Sequence, residues 1–93
     1  MPVARFIIRG RVQGVGYRAW ATDEARRRGL AGWVRNRRDG SVEVVASGDQ
    51  ATLDDFAAVC RTGPALARVT EVAVSQTDAG EVAGPGFEPR PTV

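Results

Sequence analysis

Ninety-three residues, 43% hydrophobic and 26% charged, suffice for one small core, and a single domain over residues 1–93 is expected. All 13 basic residues are arginine, so without histidine or lysine the chain has no means for Ser-His-Asp or Cys-His nucleophile systems, a lysine Schiff base or a histidine-ligated metal. A formal net charge of +2 is too small for a polyelectrolyte binder of nucleic acid.

Val3 to Arg9 is β-branched and aromatic enough to predict a strand. A glycine-punctuated turn follows, Gly10-Arg11-Val12-Gln13-Gly14-Val15-Gly16-Tyr17, and runs straight into Arg18. From Arg18 to Arg28 the absence of Gly and Pro predicts a helix, with Tyr17, Ala21, Ala25 and the adjacent Trp20 as its inward stripe. Gly29 stands where a left-handed cap would end it, with Leu30 as the apolar closing contact. Trp33 to Arg37 and Ser41 to Ala46 read as two strands around an Asp39-Gly40 turn, a strong hairpin signal. Ser47-Gly48-Asp49 opens a second helix whose Leu53, Phe56, Ala57 and Cys60 form a core stripe, and Gly63-Pro64 stops it.

Val69 to Ser75 is a further strand and Gly80 to Gly86 a loop. The closing segment, Phe87-Glu88-Pro89-Arg90-Pro91, reads as a short strand, but proline cannot donate to a ladder, which argues against regular pairing there. The order β-α-β-β-α-β plus a short C-terminal strand predicts an α+β ferredoxin-like sandwich. Two split βαβ units with right-handed crossovers place two helices on one face of a mostly antiparallel sheet.

The turn after the first strand points to chemistry. Glycines turn backbone N–H groups inward, and a helix N-terminus adds unpaired donors and the positive end of its dipole. Together they predict a nest for an anion, above all phosphate, built from the amides of Val15, Gly16, Tyr17 and Arg18. A solvated helix arginine is the ordinary fate of a residue like Arg18. Its place in a first turn, where the dipole disfavours a cation, favours a fixed charge beside the nest. Phosphoryl transfer suits this inventory, because there the protein mainly positions groups and stabilises charge.

The loop resembles the signature of the acylphosphatase family, G-x-V-Q-G-V-x-Y/F-R. A second family block, G-W-V-x-N followed by D-G, stands here as Gly32-Trp33-Val34-Arg35-Asn36 with Asp39-Gly40. The resemblance covers the chain from about Val3 to Phe87. It implies an acylphosphatase, a hydrolase of acid anhydrides that splits the carboxyl–phosphate bond of an acyl phosphate into carboxylate and inorganic phosphate. It further implies Arg18 and Asn36 as the catalytic residues, the arginine clamping phosphate oxygens and the asparagine orienting water. By itself Asn36 also reads as a turn residue before the hairpin.

No cofactor and no metal are expected. The expected partners are a small-molecule acyl phosphate and inorganic phosphate, the latter as product and inhibitor, for a monomer that engages no nucleic acid. No apolar run approaches the roughly 18 residues of a membrane span and no signal peptide opens the chain, so a cytoplasmic protein with no membrane partner is expected.

Other features have plainer readings. Cys60 is the only cysteine and reads as a core residue. The Arg26-Arg27-Arg28 run suits a solvated helix end, and Arg37 and Arg38 read as solvated charges that also suit drawing an anionic substrate inward. Gln13 either braces the loop or does nothing. An RNA-binding sandwich would need exposed aromatics on strands such as Phe6-Ile7-Ile8 and Val42-Glu43-Val44-Val45, which lack them. The same module leads the hydrogenase-maturation carbamoyltransferases, so a carbamoyl-phosphate-handling or protein-interaction role is the remaining alternative.

Overall fold

The computed structural model describes residues 1–93. Along the chain it forms strand β1 (Val3–Arg11), helix α1 (Tyr17–Arg27), strands β2 (Ala31–Asn36) and β3 (Val42–Ser47), helix α2 (Gln50–Thr62), and strands β4 (Arg68–Gln76) and β5 (Phe87–Arg90). One sheet runs in the order β4-β1-β3-β2-β5. The pairs β1–β3, β1–β4 and β2–β3 are antiparallel, and β2–β5 is parallel. This is the predicted ferredoxin-like sandwich. No helix is long and apolar enough to cross a membrane.

Alternation along the strands decides which side chains meet the helices. Phe6 and Ile8 of β1 lie opposite Val44 and Val42 of β3, and Val34 of β2 lies opposite Val44, so these apolar residues share one face. Against that face pack Tyr17, Ala21 and Ala25 of α1 and Leu53, Phe56, Ala57 and Cys60 of α2, all buried. Phe56 meets Phe6 edge-on at 5.4 Å between ring centres and Phe87 at 6.5 Å, tying the sheet centre to its edge.

The caps follow the sequence. Asp49 caps α2 by accepting from the Thr52 amide at 2.8 Å. At the other end of α1 the Gly29 amide bonds Arg26 O at 3.1 Å and the Leu30 amide bonds Ala25 O at 3.0 Å, the paired closing bonds of a left-handed helix end. Leu30 is buried, as expected of the closing contact.

The structure departs from the sequence reading at several places; β1 runs on through Gly10 and Arg11, which the sequence assigns to the turn. The hairpin strands are shifted: the first begins at Ala31 and ends at Asn36, so Arg37 belongs to the turn. The segment read as loop from Gly80 starts within a 3-10 turn at Ala79–Glu81. The proline-containing end also pairs in register, Phe87 beside Gly32 and Pro89 beside Val34. β5 is an edge strand, where only alternate amides face the neighbour. Gly32 N–H donates to Gly86 O at 2.9 Å, which sets the ladder so that Glu88 and Arg90 present their amides to β2 while the Pro89 nitrogen faces away.

The far face of the sheet is covered too. Val3, Trp33 and Val45 form a second small core under Val82, and the Trp33 indole N–H donates to Glu81 O at 2.8 Å. Beside it Glu43, 2% exposed, accepts from Arg35 Nε at 2.8 Å and pairs with Arg5, which also reaches Glu81 at 3.1 Å. Residues 42–46 of β3 are therefore buried on both faces.

Candidate active site

The loop between β1 and α1 and the end of β2 line one cleft of about 240 Å³, formed by Val12, Gln13, Gly14, Gly16, Tyr17, Arg18, Ala19 and Asn36. Gly16 is the residue that starts α1. It sits at φ 80°, ψ 19°, a left-handed conformation that glycine adopts without steric cost, and no side chain caps the helix there. The first helical bond runs from the Trp20 amide to Gly16 O at 3.0 Å, and no protein group accepts from any amide between Gln13 and Ala19. A bend of free donors thus meets the positive end of the helix dipole, an arrangement suited to an anion.

Arg18 lies in the first turn of α1, half-buried at the cleft, and forms no ion pair. Its guanidinium is steadied instead by a carbonyl, Nη1 donating to Arg90 O of β5 at 3.1 Å. Arg26 repeats the arrangement two turns on, donating from Nε to Phe87 O at 2.9 Å. The strand whose pairing looked doubtful is therefore what holds Arg18 in place. An arginine held by a neutral acceptor keeps its full charge and spare donors for an anion.

Asn36 ends β2 and faces the same cleft. Its Oδ1 is the one buried side-chain polar atom with no hydrogen-bond partner. Such an acceptor costs free energy unless something occupies it. The Asn36 carbonyl accepts from Val93 N–H at 3.1 Å, and Val93 O accepts from Arg38 N–H at 2.7 Å, so the last residue pins the backbone around Asn36.

Not every expected residue plays the same part. Tyr17 is buried and donates its hydroxyl to Cys60 O at 2.7 Å, and burial pushes its phenol pKa far up, so it offers the cleft an amide and not a titrating group. The Val15 side chain packs against the main core, and Val15 is not among the residues that line the cleft. Cys60 is fully buried, and burial pushes its thiol up to about 12, which leaves it the core role read from sequence.

No carboxylate lines the cleft. Asp39 accepts from the Ser41 hydroxyl at 2.6 Å and the Ser41 amide at 2.9 Å, which hold its carboxyl below the ordinary range, with Arg37 and Arg9 lowering it further. Gln13 does act as a brace: its Nε2 donates to Arg37 O at 2.7 Å and to Ser41 O at 2.9 Å. The sequence could not decide this, because both acceptors are backbone carbonyls of a distant turn.

The fold and cleft together define a ferredoxin-like sandwich that presents a bend of unpaired amides, one arginine and one asparagine. The family model for acylphosphatase matches residues 4–89. The chain is 47% identical over 92 residues to an acylphosphatase of Acidiphilium cryptum, covering 99% of both chains. Its fold superposes on the crystal structure of acylphosphatase from Bacillus subtilis with a TM-score of 0.89 at 38% identity, covering 97% of this chain and 99% of that one. It is also similar to full-length HypF in a phosphate- and nucleotide-bound form, with a TM-score of 0.84 at 25% identity, but spans only 12% of that chain. The chain belongs to the acylphosphatase family.

Proposed function

We propose that this domain, residues 1–93, is a monomeric, metal-independent acylphosphatase that cleaves the mixed carboxylic–phosphoric anhydride of small acyl phosphates in the cytoplasm. One observation carries the reading: free amides, an arginine without a counter-ion and a buried acceptor without a partner converge on one cleft. The amides of Val15, Gly16, Tyr17 and Arg18 and the Arg18 guanidinium hold the phosphoryl oxygens, whose charge the guanidinium grips more tightly in the transition state than in the ground state.

Asn36 Oδ1 accepts a hydrogen bond from water and directs its lone pair at phosphorus, in line with the departing carboxylate. An amide orients water without being a base. With no carboxylate in the cleft, the attacking water passes its proton to a phosphate oxygen of the substrate. The carboxylate is already a good leaving group, so no acid is required.

Benzoyl phosphate hydrolysis, followed with and without EDTA and with inorganic phosphate as inhibitor, tests the reading. Turnover unaffected by EDTA and competitively inhibited by phosphate is expected. An inactive protein that instead binds RNA in a parallel titration would overturn it.

A further inference from the structure

The Gln13 amide binds two carbonyls that belong to the turn following Asn36. Both neighbours are acceptors, so only the NH2 end can face them, and both its hydrogens are used. Ser41 O also accepts from Arg37 N–H at 2.9 Å, so the Gln13 contact lies on the bond that closes the hairpin. Ser41 is buried, at 1% exposure, and Gln13 is half-buried, which shields the contact from competing water. These are the only hydrogen bonds that join the loop from Val12 to Ala19 with the hairpin end from Asn36 to Val42.

Gln13 stands two positions before the first nest amide, that of Val15, and Arg37 directly follows Asn36. We infer that Gln13 is a positioning residue: its double bond to the hairpin turn sets the placement of Asn36, and of the water it orients, relative to the phosphate nest. It does not touch substrate. The inference rests on the hydrolase reading above and adds to it the part that registers one half of the site on the other.

Misplacement of a reacting group by about 1 Å can cost roughly a hundredfold in rate. Loosening this link leaves every nest donor in place but widens the range of water positions. Gln13→Met keeps the length and bulk of the side chain and removes its donors. The expected result is a kcat lower by about ten- to a hundredfold, with the inhibition constant of inorganic phosphate changed by less than about threefold. In an Asn36→Ala background the same substitution should cost less than about threefold, because the water it helps place is already lost.

Equal loss of phosphate affinity and rate would make Gln13 a support of the nest alone, and full additivity with Asn36→Ala would deny the coupling; either result overturns the inference. If Gln13→Met does not fold, Gln13→Asn, too short to reach both carbonyls, makes the same measurements. A wild-type protein that fails to hydrolyse benzoyl phosphate overturns the hydrolase reading and the positioning role of Gln13 with it. An active wild type with an unimpaired Gln13→Met overturns the brace alone.

Discussion

In the proposed mechanism Arg18 and Asn36 make separable contributions, because one supplies charge and the other only direction. Arg18→Ala removes the one guanidinium in the cleft, and losing a charged transition-state contact costs about 3–5 kcal/mol, roughly two to four decades in kcat/KM. Phosphate inhibition should weaken in parallel; near wild-type values for either would remove Arg18 from the clamp. Asn36→Ala should lower kcat by roughly two to three decades while leaving the phosphate inhibition constant nearly unchanged. The same variant makes a second, independent forecast. Because Oδ1 bonds no other group of the protein, Asn36→Ala breaks no hydrogen bond of that atom within the fold and should change Tm little. A rate loss accompanied by a large fall in Tm would mean that Asn36 is structural.

At the scale of elements, β3 and β5 carry more than their lengths suggest. β5 is four residues long, yet its carbonyls hold Arg18 and Arg26, fastening the start and the last turn of α1 to the sheet edge. β3 carries a carboxylate where an inward-facing strand would be expected to be apolar. Glu43 survives there because Arg5 and Arg35 flank it on the neighbouring strands. Replacing it by Gln leaves two guanidiniums facing each other across a neutral amide. Breaking a buried pair costs about 3–5 kcal/mol, and since the two arginine side chains are 26% and 28% exposed, about 2–3 kcal/mol is expected here. Urea denaturation of Glu43→Gln checks this, and a loss below about 0.5 kcal/mol would show the network to be dispensable.

For the whole molecule, the absence of a titrating group in the cleft has a kinetic and a thermodynamic side. The proposed groups are an arginine, an amide and backbone N–H donors, none of which ionises near neutrality. kcat for a good acyl phosphate should be nearly flat from about pH 6 to pH 8, any slope following the substrate phosphate. A steep limb that vanishes on replacing Asp23, Glu24 or Asp39 would establish a carboxylate base and remove the water-orienting scheme. Stability should turn downward in acid, and again in alkali, where Tyr17 and Cys60 keep their protons folded but lose them unfolded. Asp39 and Asp49 are held below the ordinary carboxylate range by hydrogen bonds from Ser41 and Thr52, so each binds its proton more weakly folded than unfolded. Their contribution is complete above the unfolded value of about 4 and is lost as pH falls through the lower folded value. Tm should therefore hold level near neutrality and fall below about pH 4, less steeply in Asp49→Ala.

What could be read from the chain alone was local. Glycine spacing at Gly14 and Gly16, the Asp39-Gly40 turn, the Asp49 cap and the stripes of α1 and α2 follow from rotational preferences and periodicity within a few residues, and they sufficed to predict the sandwich. The arginine in a cation-averse first turn was likewise visible in one window of sequence. The partners of these residues were not visible. That Arg18 rests on Arg90 O, that Gln13 spans to Arg37 and Ser41, and that Asn36 Oδ1 is left without a partner depend on segments 24 to 72 positions apart meeting in space. The pairing of Glu43 with Arg5 and Arg35 depends likewise on strands meeting in the sheet, and Pro89 reads as a ladder breaker until β5 is known to be an edge. Backbone carbonyls carry no side-chain signature, and an edge strand differs from a central one only by what lies next to it. Local propensity determined the elements and the donors of the site; only their assembly decided which donors stay free.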